Sequence, residues 1–206
     1  MAASSFDPAA ELQVDDRRNP FTGRAWDVVL CLLSEPQRPW TNAQITSATG
    51  LSRGFVSRVL TSLTSELPDL RTNDEYQATA RLLEQAAAHW PRPVAYLKSV
   101  ESPPQREFPI GGAFAATTAG YTGGDLTNVY IRTRKQAYEV AATMTGGFVE
   151  QHLADAAITI LNSHLLPPGP LPVWAYAVEL CSTSRGAEIW EHTTNQHLAA
   201  YRQALR

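Results

Sequence analysis

The stretch TNAQITSATGLSRGFVSRVLTSL, Thr41–Leu63, decides how the N-terminal part of the chain is read. Two short helical patterns flank a glycine. Thr41 or Asn42 caps the first, which carries Ile45 and Ala48 inward and ends at Gly50. Ser52 caps the second, whose apolar side holds Phe55, Val56, Val59, Leu60 and Leu63. Gly50 tolerates the positive φ that a tight turn between helices needs, and Leu51 anchors that turn. The second helix opens with Ser52, Arg53 and Gly54 and continues through Ser57 and Arg58. Small polar and basic side chains of this kind reach phosphates and base edges, and a helix N-terminus adds a partial positive charge. The pattern is that of a helix-turn-helix, whose second helix is offered to the major groove of DNA.

Working outward, RAWDVVLCLLS (24–34) spaces Trp26, Val29, Leu30 and Leu33 as a preceding helix, and EPQRPW breaks it with two prolines. After Leu63, LPDLRTNDEYQATA alternates weakly about Asn73-Asp74, which predicts a short hairpin. The order helix, helix, helix, hairpin reads as a winged helix-turn-helix over 24–79. Formal net charge is -3, so any attraction for phosphate has to be local. It is found here: no acidic residue lies between Glu35 and Glu66, whereas Arg38, Arg53 and Arg58 do. The candidate DNA contacts are Ser52, Arg53, Gly54, Phe55, Ser57 and Arg58, with Thr41, Asn42, Arg38 and Arg71 around them. Arg71, at the base of the hairpin, reads equally as a phosphate contact or a solvated charge. Trp40 reads as a staple against the next helix or as a surface for the DNA backbone.

The remainder, 80–206, reads as an α/β domain with a mixed sheet and C-terminal helices, making the whole chain α+β. TARLLEQAAAHW is a strong helix that stops at Pro91. PVAYLKSV, LTNVYIRT, GGFVEQH and AAITILN read as strands, and RKQAYEVAATM as a helix. IGGAFAATTAGYTGG reads as a small-residue helix between paired glycines, with ESPPQ as a loop before it. LLPPGPLP reads as a rigid connector, and VWAYAVELC and AEIWEHTTNQHLAAYRQALR as helices. The domain boundary is expected near residue 79, with the helix over 80–90 able to pack on either side of it. Residues 1–23 read as a flexible polar leader.

A chain of 206 residues, 44% hydrophobic and 18% charged, is ordinary for one large or two small globular domains. The first residues lack the basic and apolar regions of a signal peptide, and no apolar run approaches the ~20 residues of a membrane span. Cys31 and Cys181 fit a disulfide or, better, two buried thiols in a reducing cytoplasm, where the chain is expected. Catalysis is not expected. His89, His152, His164, His192 and His197 show no metal-binding spacing, and Glu188 with His192 fits a surface hydrogen bond. IGGAFAATTAG lacks both glycine-rich phosphate patterns, and no nucleophile elbow surrounds Ser182, Thr183 and Ser184. No metal or cofactor is implied. Trp26, Trp90, Trp174 and Trp190 fall on apolar helical faces as core. RTRK, Arg132–Lys135, lies with Tyr121 and Tyr130 around a strand. It reads as a solvated helix start rather than an auxiliary nucleic-acid contact.

The opening stretch resembles winged helix-turn-helix regulators reading T-x-x-x-I-x-x-x-T-G-L-S-x-G-x-V-S-R-x-L-x-x-L. The matches are Thr41, Ile45, Thr49-Gly50-Leu51-Ser52, Gly54, Val56-Ser57-Arg58, Leu60 and Leu63. The later segments QATARLLEQAAAHWPRP, FPIGGAFAATTAGYTGGDLTNVYIRT, MTGGFVEQHLADAAITIL and PVWAYAVELCSTSRGAEIWEHTTNQHL resemble the second domain of AbiEi-type antitoxins of type IV toxin–antitoxin systems. Gly111-Gly112-Ala113-Phe114-Ala115-Ala116 matches that family's helix start. Pro172–Leu180 and Arg185-Gly186-Ala187-Glu188 echo its late segment, with Trp174 and Glu179 where the family has glutamine and aspartate. The resemblance covers about residues 24 to 200. It implies a transcriptional repressor or autorepressor binding inverted repeats of double-stranded DNA in its own promoter, two copies per operator, acting against a nucleotidyltransferase toxin. The rival expectation is a protein-interaction module, an antitoxin or plasmid-maintenance factor working mainly through a protein partner. A nucleotide-handling enzyme is a third, opposed by the missing phosphate motif.

Overall fold

The computed structural model describes residues 19–98, 107–120, 126–143, 147–183 and 196–206. In chain order they form α1 (Trp26–Ser34), β1 (Trp40–Thr41), α2 (Asn42–Thr49), α3 (Arg53–Glu66), β2 (Arg71–Thr72), β3 (Glu75–Tyr76) and α4 (Ala80–Ala88). There follow β4 (Pro93–Leu97), β5 (Pro109–Gly111), α5 (Gly112–Thr118), β6 (Thr127–Ile131), α6 (Arg134–Thr143), β7 (Ala156–Ile160), β8 (Gly169–Pro170), α7 (Val173–Cys181) and α8 (Gln196–Ala204). The fold is α+β, with a mixed sheet.

The chain divides into two compact units, and the division does not follow the linear boundary expected near residue 79. Among the described residues, one unit holds those of 19–90, 163–165 and 173–206; the other holds those of 91–162 and 166–172. The helix over 80–88 and the C-terminal helices therefore belong with the N-terminal elements. The reason is burial. α1 is inaccessible along all of Trp26–Leu33, so one apolar stripe is not enough for it; α2, α3, α4 and α7 all pack on it. The O–H of Tyr201 on α8 donates to the carbonyl of Leu33 at 2.7 Å.

Asp27 is the one charged residue inside α1, and it is wholly inaccessible. Its carboxylate accepts from Arg24 Nε at 2.7 Å and from Ser163 Oγ and the His164 amide, each at 2.8 Å. Arg24 Nη2 also reaches the Thr49 carbonyl at 3.4 Å, the end of α2. A buried carboxylate persists only when its lone pairs are matched in this way.

Residues 19–23, expected within the flexible leader, have a defined place. Asn19 Oδ1 accepts from the Phe21 amide, and Gly23–Ala25 form a 3-10 turn leading into α1. Phe21 is buried, with its ring edge-on to Trp26 at 5.6 Å and stacked on His89 at 4.5 Å. An aromatic five residues before the first apolar helix is worth burying, and it ties the segment down. Trp26 and Trp90 are core, whereas Trp174 is only half-buried. Trp190, Tyr121, ESPPQ, Ser184, the Arg185–Glu188 segment and the Glu188–His192 pair lie outside the described residues.

The second unit is built on a five-stranded sheet in the order β4-β7-β6-β5-β8, with β7–β6 and β5–β8 parallel and the other pairs antiparallel. Alternate residues Ala95, Leu97, Ile110, Val129, Ile131, Ala156 and Ile158 share one face and pack with Phe108 and with Ala137 and Val140 of α6. Gly112 starts α5 with φ +61, and a Cβ there would collide with the Leu126 carbonyl oxygen. Glycine is required at that position because helix and strand approach so closely.

Three expected features differ. GGFVEQH is not a regular strand: Phe148 bridges Leu97, and 147–149 line the outer edge of β4 through Lys98 N to Gly147 O and Val149 N to Tyr96 O. The connector LLPPGPLP contributes β8, whose Gly169-Pro170 sits at a sheet edge where proline's missing donor is harmless. The strand that receives it is Pro109–Gly111, of which Ile110 and Gly111 were expected at the start of the small-residue helix. Cys31 and Cys181 are free thiols. Burial, then the nearby Glu35, pushes the Cys31 thiol up to about 12, against Arg38, which lowers it. No helix among the described residues is long and apolar enough to cross a membrane.

Candidate nucleic-acid interface

The local geometry around Gly50 follows from capping. Thr41 is the cap of α2, not Asn42: its Oγ1 accepts from the Gln44 amide at 3.3 Å while Gln44 Oε1 accepts from the Thr41 amide at 2.8 Å. Asn42 is the first helical residue, and its Oδ1 accepts from Thr46 Oγ1. Gly50 ends α2 in the left-handed region, φ 65 and ψ 15. Ser52 caps α3 by accepting from the Phe55 amide at 3.3 Å, which leaves its hydroxyl hydrogen to donate elsewhere.

α2 buries Ile45 and Thr49, while Ala48 faces outward, against expectation. The inward pair is spaced i, i+4, and Thr49 tolerates burial because its Oγ1 donates to the Ile45 carbonyl at 2.7 Å. α3 runs 14 residues, about 21 Å at 1.5 Å per residue. Val56, Val59, Leu60 and Leu63 face inward and Phe55 is half-buried.

The outward side of α3 carries Arg53, Gly54, Ser57, Arg58, Thr61 and Ser65, all exposed. Thr61 and Ser65 extend the stripe beyond the residues singled out from the sequence; the i+4 step from Ser57 was the available signal. Among the described residues, no carboxylate pairs with Arg53 or Arg58. The Arg58 guanidinium lies 5.9 Å from the Phe55 ring centroid. The first turn of α3 holds no acid.

Arg38 and Arg71 are differently placed. Arg38 donates to both oxygens of Glu35, at 3.0 and 3.2 Å, and its guanidinium lies 4.0 Å over the Trp40 ring. Glu35 thus compensates the charge that the acid-free interval seemed to leave open. Trp40 is buried in β1, paired with Tyr76, so it offers no surface to a backbone; it and Ile45 occupy the two staple positions of α2. Arg71 donates to the Asn73 carbonyl at 2.7 Å and pairs with Asp74 at 3.2 Å, bracing a two-residue turn in which Asn73 has φ 56. With Arg71, Asp74 and Glu75 exposed, the hairpin tip carries +1 − 2 = −1. β3 lies between β1 and β2.

The run 132–135 is a helix start. The amides of Arg132 and Thr133 donate to Gln136 Oε1 at 2.9 and 3.0 Å, and Tyr130 beside it is buried. Among the described residues no group of His, Cys, Asp or Glu could hold a metal ion. Comparison with protein-family models, with curated proteins and with solved structures finds no match for this chain.

Proposed function

We propose that 24–79 is a winged helix-turn-helix and that the protein is a sequence-specific DNA-binding regulator, with α3 as the helix that enters the major groove. The observation that carries this reading is the outward stripe of α3. Arg53 and Arg58 stand on it without acidic partners among the described residues, on a helix held by four buried aliphatic side chains. A cation in the first turn opposes the helix dipole, which costs about 0.3–1 kcal/mol when exposed. A phosphate or a guanine edge reverses that penalty, because both are acceptors that a guanidinium meets with two donors. The order α1, β1, α2, α3, β2, β3, with a three-stranded sheet, is consistent with a wing. The negative tip of that hairpin argues that groove contacts come from α3 rather than from the wing.

Two copies on an inverted repeat follow from how such helices read DNA, with half-sites about 34 Å apart. The resemblance to AbiEi-type antitoxins suggests the chain's own promoter as the first fragment to try, and repression as the outcome. The test is fluorescence anisotropy with that fragment and an unrelated one across a salt series, for the protein and for Arg53→Ala and Arg58→Ala. Each variant should keep its melting temperature and lose about tenfold or more in affinity for the promoter. Two folded variants that bind as tightly as the parent would refute the assignment of α3.

A further inference from the structure

Gly54 is a residue that the fold does not explain. It is the second residue of α3, where glycine destabilises a helix relative to alanine by its extra backbone freedom. Its φ is not positive, unlike Gly50 at +65 or Gly112 at +61. It is exposed, and among the described residues a Cβ built on it would meet nothing within 4 Å, so none of them needs the space. Gly112 is the contrast, since there the Leu126 carbonyl excludes a Cβ. Yet Gly54 is set in the middle of the outward stripe: Arg53 precedes it, and Ser57 and Arg58 stand three and four positions on, on the same face.

We infer that Gly54 is a clearance position: bound duplex DNA comes closer to the α3 backbone at this point than a methyl group permits. The inference rests on the reading of α3 as the groove-entering helix and adds to it the point of closest approach. The Cα hydrogens of Gly54 would lie in van der Waals contact with the groove wall. That seating brings Arg53 and Arg58, on either side, within hydrogen-bonding range of the groove. A bulkier residue would lift the N-terminal half of α3 outward and lengthen both reaches. Gly54 is thus a positioning residue: it donates no hydrogen bond through a side chain and carries no charge.

The experiment is Gly54→Ala in the full chain, followed by thermal unfolding and by anisotropy on the promoter and unrelated fragments across a salt series. A structural glycine and a clearance glycine predict opposite signs of the melting shift. The melting temperature should rise by about 1 to 4 °C, because alanine favours the helix and has room. Affinity for the promoter fragment should fall at least about tenfold. The slope of log affinity against log salt should stay near that of the parent, since no cation has been removed. A lowered melting temperature would overturn the inference by showing that the fold needs the glycine. So would a stabilised variant that binds the promoter as tightly as the parent, with the assignment of α3 left standing. A parent protein that binds neither fragment would overturn both.

Discussion

Replacing Asp27 tests the account of how α1 is held. The carboxylate is wholly inaccessible and accepts three hydrogen bonds, from Arg24 Nε, Ser163 Oγ and the His164 amide. Asp27→Ala removes all three. Arg24 is a third exposed, so water can solvate it and its loss counts for little. Ser163 is 3% exposed, and its hydroxyl and the His164 amide are left facing the vacated site. Each loses a hydrogen bond to a buried carboxylate, worth about 1.5–3 kcal/mol, which puts the variant about 3 kcal/mol below the parent. For a chain of this size that corresponds to a melting temperature lower by about 6–12 °C. Asp27→Asn keeps one acceptor oxygen for Ser163 and His164 and should cost about 1 kcal/mol. The four tryptophans among the described residues, Trp26, Trp40, Trp90 and Trp174, lie in the unit that contains α1, so tryptophan fluorescence in a urea titration follows this unit. A double-mutant cycle with Ser163→Ala should give a coupling of about 1 kcal/mol. Asp27→Ala within 0.5 kcal/mol of the parent at an unchanged urea dependence (roughly the additivity error of such cycles) would refute the reasoning.

Two further outcomes follow from the structure. The Cys31 thiol, raised from 9.0 to about 12 by burial, favours the protonated form in the folded state, so its contribution is complete below pH 9 and is lost as pH climbs toward 12. Melting temperature should therefore drop between pH 9 and pH 11, with a shallower drop in Cys31→Ala; equal slopes would rule out Cys31 as the source. Gly112→Ala combines an unfavourable φ with a collision at the Leu126 carbonyl and should cost at least about 2 kcal/mol in the sheet unit. Amide exchange along β5, β6 and α5 measures this, and undisturbed protection there would count against the close approach of α5 to β6.

Much of the local structure was legible because its causes are local. Thr41 with Gln44, Ser52 with the Phe55 amide, and Gly50 at positive φ are capping events within five residues, and each can be read from residue type and spacing. The turn at Asn73-Asp74 and the strands over 127–131 and 156–160 are of the same kind. So is the apolar side of α3, whose complement is the candidate site; the outward stripe is what remains once Val56, Val59, Leu60 and Leu63 are turned inward. What could not be read is the pairing of charges. Arg38 and Arg71 have the same composition as Arg53 and Arg58, but each has an acid three residues away that the fold brings within 3.2 Å.

The division into units lay beyond the sequence for a different reason. An amphipathic helix states that it has a face to bury and says nothing about which surface will cover it. α7 and α8 cover α1 from more than a hundred residues away, and Asp27 takes its partners from 163 and 164. β8 forms from a proline-rich segment with no strand propensity, because the edge of β5 supplies the pairing. Periodicity and caps decide which elements exist. The choice of partners belongs to the tertiary structure, since it depends on which combination buries every apolar face and satisfies Asp27 at once, a condition on the whole chain.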